Sequence, residues 1–289
     1  MGLIKFFKEA RVAVATVFLA ITLLSILLGG ITFACFLSLL IYFGTVELIS
    51  FMKNKGFNPS LPLVLTVDAV LIIFATFGLT EYLGMVLTIG SIAAFLVILF
   101  RGEKATIADA ATTLMSIIYG GWLPVHLLLL RTLNKGGLHL FNLHFRDGVG
   151  YIFLIFMIVT ISDIAGYYIG SKFGKKPLWT AISPKKTIEG SIASTVGGIL
   201  TAVIIGYFIH LEFYHSLIAG ILLVVIAQFG DLTESMFKRD AGVKDSSSLL
   251  PGHGGILDRA DSYVFTGAVA YYYFKIFVIQ GITILSFLS

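Results

Sequence analysis

The 289 residues are 57% hydrophobic and 12% charged, with a mean hydropathy of +0.97, about half the charged fraction of an average soluble domain. That balance excludes a soluble globular enzyme and describes an integral membrane protein. The formal charge of +4 and pI near 9.0 fit basic loops beside membrane helices rather than a nucleic-acid surface, and the single cysteine, Cys35, excludes an intrachain disulfide.

Along the chain, Lys5, Lys8 and Arg11 precede an apolar run at 12–28, an arrangement shared with signal peptides. No small-residue cleavage site follows, so a retained first membrane helix is expected. Nine segments are predicted to span, or nearly span, a hydrocarbon core about 30 Å thick: 12–29, 31–52, 61–78, 84–100, 113–130, 149–171, 191–211, 217–237 and 263–286. The fold class is therefore all-α, with about five spans in 1–148 and a catalytic region of about four spans in 149–289, served by loops 172–190 and 238–262. Of the twenty basic residues, Arg131, Lys135, Arg146 and Lys275 fall elsewhere, and the other sixteen lie in 1–11, 53–60, 101–112, 172–190 and 238–262. By the positive-inside rule this places the N-terminus inside and the C-terminus outside.

Chemistry concentrates near the C-terminus. In the eighth predicted helix Asp231, Glu234, Ser235 and Lys238 fall at i, i+3, i+4 and i+7, on one face. A lone carboxylate within a membrane helix costs about 2.5–3.5 kcal/mol, which favours a water-filled catalytic or transport cavity over an interhelical ion pair, the plainer reading. Lys244-Asp245 and three serines follow, then Pro251-Gly252-His253-Gly254-Gly255, whose glycines would let backbone amides approach an anion. Asp258 and Asp261 share a face at the start of the ninth helix, where a capping role is the simple alternative. Three carboxylates around one loop suit Mg²⁺.

A second basic cluster occupies 172–190, with Lys172, Lys175, Lys176, Lys185 and Lys186 beside Ser183, Thr187 and Gly190. It serves either topology or the binding of a triphosphate or anionic lipid head. The helix leading into it carries Asp163, a candidate wall of the active site, and glycines at 166, 170 and 174 that mark close helix packing. Glu47 and Asp68 in early helices read equally as cavity-lining or as interface residues, His139 and His144 at i and i+5 have a poor spacing for metal, and none of them is assigned a site.

The run Ser235-Met-Phe-Lys238-Arg239, Lys244-Asp245-x-Ser247, Leu250-Pro251-x-His253-Gly254-Gly255, Asp258-Arg259-x-Asp261 resembles the CDP-diacylglycerol synthase (phosphatidate cytidylyltransferase) family, and Ser183-Pro-Lys185-Lys186-Thr187-x-Glu189-Gly190 resembles it too. The resemblance implies CMP transfer from CTP to phosphatidic acid, giving CDP-diacylglycerol and pyrophosphate with Mg²⁺ as cofactor, at the cytoplasmic boundary of the cell inner membrane, by a homodimer. Under it, Asp231, Asp258 and Asp261 hold metal, with a second ion allowed for. Lys238, Arg239, Lys244 and Arg259 neutralise phosphates, with Asp258 among these catalytic residues. Ser183, Lys185, Lys186, Thr187, Glu189, Ser235, His253, Gly254, Gly255 and Asp163 contact substrate. Transfer to another acceptor such as an isoprenoid ether lipid, and an ion-coupled transporter, are the alternatives. The absence of an inverted repeat weighs against the transporter.

Overall fold

The computed structural model describes residues 2–140, 143–145, 147–250, 252 and 254–282, with side chains from residue 13 onward except at 139, 140, 143 and 144. Helices form over every predicted apolar segment: α1 (Gly2–Leu28), α2 (Gly30–Asn54), α3 (Leu61–Thr76), α4 (Leu83–Leu99), α5 (Ile107–Ser116) running through a π-helical turn (Ile117–Trp122) into α6 (Leu123–Arg131), α7 (Val149–Phe173), α8 (Ile188–Phe208), α9 (Phe213–Asp240) and α10 (Leu257–Tyr273), which ends in a second π-helical turn (Phe274–Ile279). Among the described residues seven of these segments are long and apolar enough to cross a membrane; Ala13–Leu28 and Leu61–Thr76 are shorter. α3 has 16 residues, about 24 Å at 1.5 Å per residue, so of the nine segments expected to span or nearly span the core it belongs to the second kind. The chain is a multi-pass integral membrane protein.

The expected all-α class gains two small antiparallel hairpins, β1 (His139–Leu140) with β2 (Leu143–His144) and β3 (Pro177–Trp179) with β4 (Ser183–Thr187). The second lies inside what the sequence presents as the basic loop 172–190. α8 starts at Ile188 rather than 191 because Thr187 caps it, Oγ1 accepting the Gly190 N–H at 3.2 Å. α10 starts at Leu257 rather than 263, so Asp258 and Asp261 belong to its first turns.

The chain folds as two compact units, neither continuous in sequence: Met1–Leu128 with Met236–Asp261, and Leu129–Ser235 with Ser262–Ser289. In the first, α3 packs against α2, α4 and the π-helical turn through Val64, Val67, Leu71 and Ala75, a stripe at helical spacing that is buried throughout. Of the polar groups buried with it, Asp68 uses one carboxylate oxygen only, its Oδ1 having no hydrogen-bond partner among the described residues. Thr45 Oγ1 donates to Asp68 Oδ2 at 3.0 Å, and Asp109 Oδ1 accepts the Asn58 N–H at 2.6 Å.

In the second unit α7 and α8 pack almost backbone to backbone. A Cβ at Gly190 would lie 2.9 Å from Gly166 O and 3.1 Å from Gly170 Cα, so the small-residue spacing does mark close packing. The opposite side of α8 presents Ile192, Val196, Leu200 and Ile204, each more than half exposed, a stripe that lipid rather than water would cover.

Candidate active site

In the second unit, α7, α8, α9 and the β3–β4 hairpin enclose a cavity of about 450 Å³ whose lining includes Asp163, Lys185, Lys186, Thr187, Gln228 and Asp231. The hairpin holds Lys185 and Lys186 on β4 directly before α8. The Lys186 Nζ pairs with Asp231 Oδ2, both side chains about one-third exposed or less, and Asp231 Oδ1 accepts from Ser235 Oγ at 3.4 Å. A carboxylate and an ammonium so placed at one wall of a cavity can hold a cation on one side and an anion on the other. One turn before Asp231, Gln228 links the neighbouring helix: Ser191 Oγ donates to its Oε1, and its Nε2 donates to Thr195 Oγ1 at 3.1 Å. Sequence reading missed Gln228 and Ser191, since an amide and a hydroxyl among apolar residues carry no motif.

In the first unit the glycine-bearing loop closes on Asp258. Lys238 Nζ donates to Asp258 Oδ1 at 2.6 Å, with side chains 11% and 6% exposed. Asp258 Oδ2 lies within hydrogen-bond distance of the Ser246 N–H (2.8 Å), the Ser246 hydroxyl (2.8 Å) and the Gly255 N–H (2.7 Å). Gly254 has φ +77°, and a Cβ there would meet Asp258 Oδ2 at 2.4 Å; one at Gly255 would meet Glu47 at 2.4 Å. The two glycines therefore let the loop backbone reach two carboxylates, and the Gly255 amide is directed at Asp258.

Of the other expected residues, Ser183 opens β4 opposite Trp179 and does not line the cavity. Glu189 Oε2 accepts the N–H groups of Lys175 (3.0 Å) and Lys176 (3.3 Å), tying down the segment before β3. Arg239 Nη1 donates to Val243 O at 3.3 Å from the last turn of α9. Lys244 and Arg259 are exposed, Asp261 is half-buried on α10, and His253 lies outside the described residues.

The donor set can be matched to Mg²⁺, which takes one or two carboxylates and completes its shell with water and substrate phosphates. Asp163 and Asp231 on one cavity lining fit that requirement. Asp258 fits it less well: four donors surround its carboxylate, about the lone-pair capacity of the group. Among the described residues no cluster of three or more His, Cys, Asp or Glu is gathered.

Residues 9–277 match the cytidylyltransferase family. The chain is 36% identical over 282 residues to the phosphatidate cytidylyltransferase of Synechocystis sp., covering 91% of this chain and 95% of that one. It is 36% identical over 271 residues to the chloroplastic phosphatidate cytidylyltransferase 4 of Arabidopsis thaliana (86% and 69%), and 31% identical over 263 residues to the phosphatidate cytidylyltransferase of Staphylococcus aureus (89% and 95%). With a match that runs through nearly all of its membrane helices and both polar clusters, the chain belongs to the cytidylyltransferase family.

Proposed function

We propose that this protein transfers CMP from CTP to phosphatidate, releasing CDP-diacylglycerol and pyrophosphate. The observation that carries the reading is the cavity among α7, α8 and α9, where Lys185, Lys186 and Asp231 lie beside helices whose outer faces are apolar, in a chain similar over nearly its whole length to proteins named for that activity. A phosphate oxygen of phosphatidate attacks the α-phosphorus of CTP, a new P–O–P bond forms, and the bond from that phosphorus to the α–β bridging oxygen breaks. The nucleophile is already an anion, so the task is alignment and charge neutralisation rather than proton removal.

Lys185 and Lys186 offer two ammonium groups to phosphates entering the cavity, and Lys186 exchanges its Asp231 partner for one of them. Asp231, with Asp163 lining the same cavity, would hold Mg²⁺, which supplies Lewis-acid neutralisation of the phosphate charge. Asp258 fixes Lys238, which with Arg239, Lys244 and Arg259 neutralises phosphate charge. In this reading the polar clusters face the cytoplasmic side of the cell inner membrane with the N-terminus inside, which the distribution of basic residues supports, and a homodimer is the proposed assembly. The test is mass-spectrometric detection of CDP-lipid from purified protein in lipid micelles, given CTP, Mg²⁺ and either phosphatidate or an isoprenoid ether lipid phosphate. The expected product is CDP-diacylglycerol. CDP-lipid only with the ether lipid would reassign the acceptor, and no CDP-lipid with either would overturn the reading.

A further inference from the structure

Glu47 lies in α2, 199 residues before the loop it touches, and its side chain is buried. Its Oε1 accepts the Ser247 hydroxyl at 2.6 Å and the Ile256 N–H at 3.1 Å. Its Oε2 accepts the Leu257 N–H at 2.8 Å and lies 2.7 Å from Ser246 Oγ. One carboxylate thus joins both ends of the 246–257 loop and caps the start of α10. The Ser246 hydroxyl is also 2.8 Å from Asp258 Oδ2, and its one hydrogen serves the two carboxylates in turn. Asp258 in turn holds Lys238. The contacts form a chain within one unit: Glu47, Ser246, Asp258, Lys238. Gly255 is pressed between its members, since a Cβ there would lie 2.0 Å from Ser246 Oγ.

A structural cap for α10 would need the two backbone amides of Ile256 and Leu257 alone. Glu47 instead also takes the hydroxyls of Ser246 and Ser247, and the Ser246 hydroxyl reaches the carboxylate that holds Lys238 as well. We propose that Glu47 is a positioning residue of the transfer reaction, fixing the loop so that Asp258 presents the Lys238 ammonium in its working place. The inference rests on the proposed function, because Lys238 matters to rate only if it neutralises phosphate charge.

Glu47→Gln keeps the size of the side chain but turns an amide NH₂ toward groups that are themselves donors. Displacement of a positioned group by about 1 Å costs on the order of 100-fold in rate. The expected result is a fall in kcat per folded enzyme of about 10- to 100-fold, with KM for CTP and for phosphatidate each within about twofold of wild type. The decisive comparison repeats Glu47→Gln in a Lys238→Met background, with Ser246→Ala as a second background. If Glu47 acts through that chain, the same substitution lowers kcat less than about twofold there. An equal fold-loss in every background, or unchanged kcat in the single variant, overturns the proposal. If Glu47→Gln fails to fold, Ser247→Ala, which removes one donor from the same carboxylate, is read by the same comparison. A wild-type protein that makes no CDP-lipid would sink the proposed function, whereas an active wild type with an unaffected Glu47→Gln sinks only the role of Glu47.

Discussion

Asp258→Asn separates a structural ion pair from a bare metal ligand. The Lys238–Asp258 pair is 11% and 6% exposed at 2.6 Å, and removing one partner of a buried pair costs about 3–5 kcal/mol because the other charge is stranded. The amide would also turn two hydrogens toward a site that already holds the Ser246 and Gly255 N–H donors, and each such donor left unmatched costs about 1–3 kcal/mol. These contributions overlap, so the expected destabilisation is about 3–5 kcal/mol in total. Converting Lys238 to Met in the same chain removes the stranded ammonium and should recover about 1–3 kcal/mol, within the usual range of coupling for contacting residues. The assay is denaturant unfolding of purified protein in one detergent, with EDTA present so that no metal contributes. If Asp258→Asn unfolds within about 0.5 kcal/mol of wild type under those conditions, the account of Asp258 as the anchor of Lys238 and its loop is refuted.

Other substitutions probe the second cluster. Asp231→Asn frees Lys186 from its partner in a part-exposed setting, so it should leave stability within about 1 kcal/mol while lowering CMP transfer on the order of 100-fold at ordinary Mg²⁺, as initial rates with labelled CTP would record. Lys186→Ala should lower kcat more than Lys185→Ala, because only Lys186 is paired to Asp231 while Lys185 is exposed; Lys185→Ala should chiefly raise KM for one substrate, as the two constants measured for both substrates would reveal. Gly190→Leu drives a side chain into Gly166 O and Gly170 Cα and should destabilise by about 1–3 kcal/mol, seen as a lowered yield of folded protein in the membrane.

The helices were legible because a membrane span needs only length and apolarity, and α7 through α10 carry both. The glycines at 166 and 170 were legible as packing positions for a similar reason, since spacing on one helix face is local information. What the sequence concealed is pairing over distance. The motif places Lys238 and Asp258 in one signature, but their ion pair depends on how the loop folds back, and no spacing rule states it. Glu47 is the extreme instance: an isolated carboxylate in an apolar helix reads the same whether it faces an interface or receives four donors from a loop 199 residues away. The β3–β4 hairpin was hidden because Pro177 and Pro184 punctuate a lysine-rich segment that reads as a loop. Ser191 and Gln228 depend on the register of α8 against α9, which only the folded chain sets.

In the proposed reaction the bond made joins the α-phosphorus of CTP to a membrane lipid. The direct measurement uses CTP labelled in the α-phosphate and, separately, in the γ-phosphate, with purified protein reconstituted into vesicles containing phosphatidate. The α-label should enter the lipid phase mole for mole with pyrophosphate released, while γ-label stays in water. Label from the γ-position in lipid, or nucleotide consumed with no α-label in lipid, would contradict it.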